Sequence, residues 1–500
     1  MRHTQSRSRT LRLRELVPQA LLFLGDDVAC SGCTSSLEEV QPGDLFVGVV
    51  SADHDSHEQA QAAIAKGAVA VLSERVLPIE ATQVVVDDSR AAMGHACHAL
   101  AGHPSRKLPV IGVTGTHGKT TTSLLIASVL NTEHQGVAAL TSLAHCDSVD
   151  ALPATQTTPP ANELAKCLAS AVEHGCSHGV VELSSAGLAE QRAAGTELAV
   201  AVLTNLRQAH KEQHGSTANY RAITQRIFGL LGEGGVAVLN ADDPGSQSVL
   251  SNLNRPVLTF GLHRQADVTA HVLERSLGEQ TFYLEAGSDC IPVRTRMIGD
   301  HHLYNCLAAA AVGLLYGLPL ATIARGLEAV EAIPGRMERI DCGQDFGLLV
   351  DEASSHDSLA MCLKTARQVT TGRVICVTSA ATTDPAQRAL IGRVLEKHAS
   401  ISVITSESGK APKSLAFAHD VLDGFQHPGK ADVIPSRDKA IRWAIEEARE
   451  GDTVVLCGAG HRGWKSGRRL TDDASFVRQE LYQLVAAANR QKPIVFAFSG

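Results

Sequence analysis

The stretch Val110-Ile-Gly-Val-Thr-Gly-Thr-His-Gly-Lys-Thr-Thr-Thr122 constrains this chain more than any other. Val110 to Val113 is rich in β-branched residues and reads as a buried strand. The turn after it carries Gly115 and Gly118, and an apolar helix-like segment follows from Ser123. Strand, glycine loop and helix start in that order form a cradle for phosphate, because glycines let backbone amides point inward at an anion with no Cβ in the way. Lys119 can set a point charge on the outer phosphates, and Thr120 can offer its hydroxyl to Mg²⁺. The general pattern has its first glycine where this chain has Val113, so the loop is a variant. The expected ligand is a nucleoside triphosphate, held by Thr114, Gly115, Thr116, Gly118, Lys119, Thr120 and Thr121.

One hydrophobic core does not extend over 500 residues, and about three domains are expected. With 44% hydrophobic and 20% charged residues the composition is that of an ordinary globular protein. A net charge of −8 gives no reason to expect nucleic acid or an anionic membrane as partner. No run of about eighteen apolar residues is present, so no bilayer span is expected. The basic start, Met1 to Arg14, reads as a solvated end; Ala20 to Leu24 is too short for a signal peptide and stops at Asp26-Asp27. Of twelve cysteines, only Cys30 and Cys33 form a CxxC, which without a second pair is weak support for zinc or redox use. A reduced cytoplasm fits best, and a monomer is the expected state.

The fold class expected is α/β in three domains: a small N-terminal α/β domain (1–108), a central P-loop domain with a mostly parallel sheet (109–333), and a Rossmann-like C-terminal domain (334–500). In the first, strands are expected after Pro42-Gly43, over Ala68 to Leu72 and over Val84 to Val86, with helices over Ala60 to Lys66 and from Asp87-Asp88 to Leu100. Gly102 to Lys107 reads as a hinge. Central strands are expected at Gly179 to Leu183, Leu198 to Leu203, Gly235 to Leu239 and Pro256 to Phe260, with a helix from His302 to Tyr316. Ligands bind beyond the carboxyl ends of such strands, which places Glu182, Asn205 and Asn240 near the loop at 115–120. C-terminal strands are expected at Leu348 to Val350, Val374 to Thr378, Ile401 to Thr405 and Thr453 to Leu456.

The loop TGTHGKTTT, preceded by GHPSRKL, resembles the Mur ligases, ATP-dependent enzymes that build the peptidoglycan stem peptide. The resemblance runs from about residue 40 to 485. It includes PGDLFVG at 42–48, Thr157-Thr158-Pro159, VELSS around Glu182, TNL at 204–206, HGSTANY at 214–220, NADD at 240–243 and PGRMER at 334–339. The set looks most like the branch that adds the third residue to UDP-N-acetylmuramoyl-L-alanyl-D-glutamate. The resemblance implies that ATP phosphorylates a carboxylate to an acyl phosphate, which an amine then attacks. Thr120 and Glu182 would hold a first Mg²⁺ and His210 a second, and Lys119, Glu182, His210 and Arg336 would be the catalytic group. Asn305 would lie on the adenine side, Asp351 at the ribose, and Arg336 on the phosphates. Thr157, Thr158, Ser184 and Arg192 match positions that grip the UDP-muramoyl-peptide substrate.

Departures from the family pattern fall at chemistry. Ala209 stands where the family has an aspartate, and Thr224 where it has a lysine that becomes carbamylated. A threonine hydroxyl supplies neither the charge nor the two-oxygen bite of a carbamate, so a second Mg²⁺ should bind more weakly unless Glu212 substitutes. His302 replaces an asparagine, while Asn305 is kept. Asp351-Glu-Ala-Ser354 stands for DYAH, Ser184-Ser-Ala-Gly-Leu188 for SSHAL, and Ser36-Leu-Glu38 for the uridine-binding DSR. Glu407-Ser-Gly-Lys410 stands for the amino-acid-selecting DNPR, and Gly458-Ala-Gly-His-Arg462 for GKGHE. Two readings follow: a Mur-type amide ligase whose amino acid is open, or a nucleotide-binding relative that has lost ligation and acts as a regulator or partner.

Overall fold

The computed structural model describes residues 9–491 except 51–53, 134–135, 208–213, 380–383, 407–414 and 467–468. The chain divides into two compact units. One holds residues up to His271 with Leu284–Ile291 and Tyr304–Ala329; the other holds Val272–Tyr283, Pro292–Leu303 and the chain from Val330 onward.

The N-terminal and central sheets begin in the first unit, beside a two-stranded pair of Leu11–Arg12 with Ala29–Cys30. The N-terminal one has the order Leu22–Leu24, Thr82–Val85, Ala70–Ser73, Asp44–Val47, Gly32–Thr34, parallel except for its first pair. Asp44–Val47 and Ala70–Ser73 are buried at every residue, as expected of parallel strands covered on both faces. Helix Ser89–Leu100 starts where the Asp88 carboxylate accepts the Ala91 N–H at 2.9 Å. This helix packs against the next domain at close range. A Cβ on Gly94 would come within 2.5 Å of the Ala194 carbonyl oxygen, and His98 Nε2 lies 3.0 Å from Thr196 Oγ1. Cys30 and Cys33 are both buried and belong to the core with Cys97. Burial, with Asp44 and Asp27 nearby, pushes the Cys30 thiol up to about 11; the Cys97 hydrogen bond and burial also raise Cys33. The pair therefore packs as small apolar side chains. Among the described residues no three His, Cys, Asp or Glu side chains converge as a metal site.

The central sheet runs Ala151–Pro153, Ala144–Cys146, Val137–Leu140, His178–Glu182, Val110–Thr114, Leu198–Leu203, Leu231–Asn240, Val257–Phe260, and is parallel from Val137–Leu140 onward. Three further strands, Val268–Arg275, Gln280–Ala286 and Asp289–Thr295, end the order. The expected strands are all present, most with bounds shifted by a residue or a few. The first helix begins at Lys119 rather than Ser123, because Gly118 takes a left-handed φ of 84° and turns the chain directly into helical geometry. The late helix is Asp300–Leu315. Tyr316 lies beyond it, and its ring meets His178 edge-on with centroids 4.4 Å apart.

In the second unit the sheet order is Glu338–Arg339, Gly347–Asp351, Thr453–Cys457, Val374–Ser379, Ile401–Thr405, Ala431–Val433, parallel after the first pair. A fully buried Arg437 forks onto Asp473, with Nε–Oδ1 2.7 Å and Nη2–Oδ2 2.5 Å; Trp464 Nε1 donates to the same carboxylate at 2.9 Å. That pair ties helix Arg437–Glu447 to the start of helix Asp473–Gln491. Among the described residues no helix is long and apolar enough to cross a membrane.

Candidate active site

The glycine loop joins Val110–Thr114 to Lys119–Leu130 at the carboxyl edge of the central sheet. Two glycines are required there by space as well as by φ. Gly115 has φ 139°, and a Cβ on it would lie 2.1 Å from Thr204 Oγ1; a Cβ on Gly118 would lie 2.4 Å from Asn305 Oδ1. The next strand end pins the loop from outside. Thr204 Oγ1 donates to the His117 carbonyl at 2.7 Å, and Asn205 accepts the His117 N–H at 3.1 Å while donating to the His117 oxygen at 3.0 Å. Asn240 is one step removed, its amide donating to the Thr204 carbonyl at 3.1 Å. Thus Asn205 touches the loop directly and Asn240 reaches it through Thr204.

Lys119 is the first helical residue, and its ammonium donates to the carbonyls of Gly115 (3.0 Å) and Thr116 (3.2 Å), so the charge sits over the loop. Thr114 is buried, with its hydroxyl on the Leu183 carbonyl at 2.7 Å; Thr121 is also buried in the helix's first turn. The Thr120 hydroxyl donates to Glu182 at 3.0 and 3.2 Å and lies 2.9 Å from Ser142 Oγ, while the Ser142 N–H donates to Glu182 Oε2 at 2.9 Å. Glu182 is only 2% exposed. A buried carboxylate flanked by two hydroxyls is a hard, all-oxygen donor set, and it fits Mg²⁺. Sequence reasoning missed Ser142, which stands just past strand Val137–Leu140 in no recognised motif. His210, Ala209 and Glu212 lie outside the described residues. Thr224 is 1% exposed, with its hydroxyl on the Tyr220 carbonyl at 2.8 Å, an internal bond of its own helix.

The residues matched to the acceptor substrate form a second cluster beside Glu182. Thr158 is fully buried: its hydroxyl donates to the Glu182 carbonyl at 2.9 Å and accepts the Ser184 N–H at 2.9 Å. The Ser184 hydroxyl caps helix Ser185–Ala189 through the Gly187 N–H at 3.0 Å, and Arg192 Nη1 donates to the Thr158 carbonyl at 2.7 Å. Thr158 therefore organises this segment from behind. Thr157, half-buried, precedes it.

On the other side of the loop, Asn305 Oδ1 accepts the Thr122 hydroxyl at 3.1 Å. Its neighbour Tyr304 lines a cleft of about 310 Å³ with Arg207, Arg221, Asn240, Asp242 and Asp243. Asp242 accepts the N–H groups of Leu262, His263 and Arg264 and the Tyr304 hydroxyl, which together outweigh burial and hold its carboxyl low. In the other unit, His302 is 2% exposed, and burial aided by His301 and Arg336 drives its pKa far down. Arg336 pairs with Glu352 at 2.7 Å, and His461 bonds the same carboxylate. Asp351 accepts the N–H groups of Met337 and Ala353, each at 2.8 Å, and burial lifts its carboxyl to about 7.

A parallel sheet with this loop, its lysine and a buried carboxylate beyond the neighbouring strand defines an α/β P-loop nucleotide-binding protein. The description Mur ligase middle domain matches residues 113–313, and Mur ligase, glutamate ligase domain matches 335–460. The chain is 36% identical over 435 residues to a UDP-N-acetylmuramoyl-L-alanyl-D-glutamate--2,6-diaminopimelate ligase of Geobacillus kaustophilus, covering 85% of this chain and 89% of that protein. The enzyme of the same name from Syntrophomonas wolfei is 34% identical, covering 91% and 95%. A solved structure of a ligase of that name superposes with a TM-score of 0.69 at 26% identity, covering 95% of this chain and all of that one. This chain belongs to the Mur ligase family, the ATP-dependent acid–amino-acid ligases of peptidoglycan synthesis.

Proposed function

We propose that this chain adds an amino acid to a UDP-N-acetylmuramoyl-dipeptide, with 2,6-diaminopimelate, named in its relatives, as the incoming amine. In this reading a carboxylate oxygen of the dipeptide attacks the γ-phosphorus of ATP and ADP leaves. The amine then attacks the acyl phosphate, and phosphate departs with the carboxylate oxygen it gained. Residues 1–108 take the UDP-sugar, 109–333 the ATP and 334–500 the amino acid.

The observation that carries the reading is the oxygen cluster of Thr120, Ser142 and Glu182 at the end of the glycine loop. Thr120 and Glu182 would hold Mg²⁺, which supplies charge neutralisation on the phosphates. Lys119 and the loop amides stabilise negative charge on the transferring group, and fixed donors serve best because they need no reorganisation. Thr158, Ser184 and Arg192 position the acceptor beside Glu182. Arg336, Asn305 and Asp351 contribute to the nucleotide, and His210 to a second metal. The Thr224 hydroxyl, committed to its own helix, supplies no metal ligand, so added bicarbonate should leave the rate unchanged.

The test is phosphate release with ATP, Mg²⁺, the muramoyl-dipeptide and diaminopimelate, lysine or another amine. Release that needs acceptor and amine together, and is fastest with diaminopimelate, is expected. ATP binding with no release under any combination would overturn ligation and leave a nucleotide-binding relative.

A further inference from the structure

Tyr220 is 1% exposed and among the largest fully buried side chains. Its helix, Thr217–Gln225, starts at Ser216, whose hydroxyl accepts the Asn219 N–H at 3.1 Å. From there the Tyr220 hydroxyl reaches across to the middle of the glycine loop and lies 3.0 Å from Thr116 Oγ1. The same Thr116 oxygen accepts the Arg207 N–H at 2.9 Å, and the Thr116 N–H donates to the Asn205 carbonyl at 2.9 Å. Thr116 is thus held from three sides, and the Tyr220 hydroxyl is the only one of these partners that comes from outside the segment following strand Leu198–Leu203. At its other end the Tyr220 ring faces His214, with centroids 5.7 Å apart, and His214 Nε2 lies 2.9 Å from Ser185 Oγ.

A tyrosine serving only as core filler needs no oxygen, because a phenylalanine ring fills nearly the same volume. Here the oxygen ends on a residue in the middle of the glycine loop, between Gly115 and Gly118. We propose that Tyr220 is a positioning residue of the nucleotide site, its buried hydroxyl holding Thr116 and the neighbouring loop amides in the register that binds phosphate. The proposal rests on the nucleotide reading above and deepens it. Tyr220 touches no reacting atom; it acts through Thr116.

The experiment measures ATP affinity by calorimetric titration, together with the melting temperature, on the full chain. Variants are Tyr220→Phe, Thr116→Val, their double mutant, Thr116→Ser, and Lys119→Ala as the loop control. Tyr220→Phe should weaken ATP binding about five- to tenfold while the KM for the acceptor stays within twofold. Thr116→Val should lose a similar factor, the double mutant should be no weaker than the worse single variant, and Thr116→Ser should stay near wild type. A melting temperature that falls for Tyr220→Phe with ATP affinity unchanged would overturn the proposal in favour of core filling. Multiplicative losses in the double mutant would overturn it too. If Lys119→Ala loses ATP while Tyr220→Phe does not, only this proposal fails; a wild-type chain that binds no ATP defeats the nucleotide reading with it.

Discussion

At the scale of single residues the loop makes the sharpest predictions. Lys119→Ala removes the ammonium that donates to the Gly115 and Thr116 carbonyls. ATP affinity measured by titration should fall about 10- to 100-fold, the range of a charge-assisted hydrogen bond. Gly115→Ala should do more than weaken binding, since φ 139° and a 2.1 Å approach to Thr204 Oγ1 both oppose a Cβ. A loss of about 1–3 kcal/mol in denaturant unfolding is expected, along with loss of nucleotide binding. In the second unit Glu352 stands where the family has a tyrosine. Burial raises its carboxyl, but the His461 hydrogen bond and the Arg336 charge outweigh that and leave it below the ordinary value, so it stays ionised at neutral pH. If Arg336 serves the phosphates, Glu352 competes for it. Glu352→Gln should then lower the KM for ATP several-fold; a raised KM would mean that Glu352 instead orients the arginine.

Elements show which parts of the chain could be read without coordinates. Leu198–Leu203 and Ile401–Thr405 were expected with their observed bounds, because buried parallel strands are rich in aliphatic residues, unbroken in the first and interrupted only by Ser402 before Thr405 in the second. The strands Val268–Arg275, Gln280–Ala286 and Asp289–Thr295 were not foreseen. They have exposed positions along their length, so their apolar residues never form such a run. The site was legible wherever a residue belonged to a motif with a mechanism, as with Lys119, Thr120 and Glu182. It was not legible where the contact depends on tertiary packing. Ser142 gives no signal, and Tyr220 stood inside a quoted motif without its reach to Thr116 being visible. Packing also buries His98, on helix Ser89–Leu100, at 0% exposure against Thr196, and burial together with His103 and His95 lowers its pKa to about 4. The unfolded chain takes up this proton near pH 6.5 and the folded chain only near 4. The contribution is therefore intact above 6.5 and is lost as pH falls, about 3 kcal/mol by pH 4. Denaturation at pH 7.5 and pH 4.5 should show a smaller drop for His98→Gln than for wild type; equal drops would contradict the assignment.

For the whole molecule, the proposed division of labour gives the sugar nucleotide to residues 1–108, ATP to 109–333 and the amino acid to 334–500. The replacements at 36–38, 407–410 and 458–462 fall in segments proposed to choose the outer two substrates, whereas Gly115, Gly118, Lys119, Thr120 and Glu182 are kept. The reaction is therefore expected to be that of the relatives, with the outer two substrates held by different side chains. The most direct measurement of that chemistry follows one oxygen. The muramoyl-dipeptide is labelled with ¹⁸O in the reacting carboxylate and incubated with ATP, Mg²⁺ and diaminopimelate, and the released phosphate is analysed by mass. An acyl phosphate requires each phosphate to carry one oxygen from a carboxylate labelled at both positions. Phosphate free of label would mean that water, not the carboxylate, had received the γ-phosphoryl group, and would contradict the account.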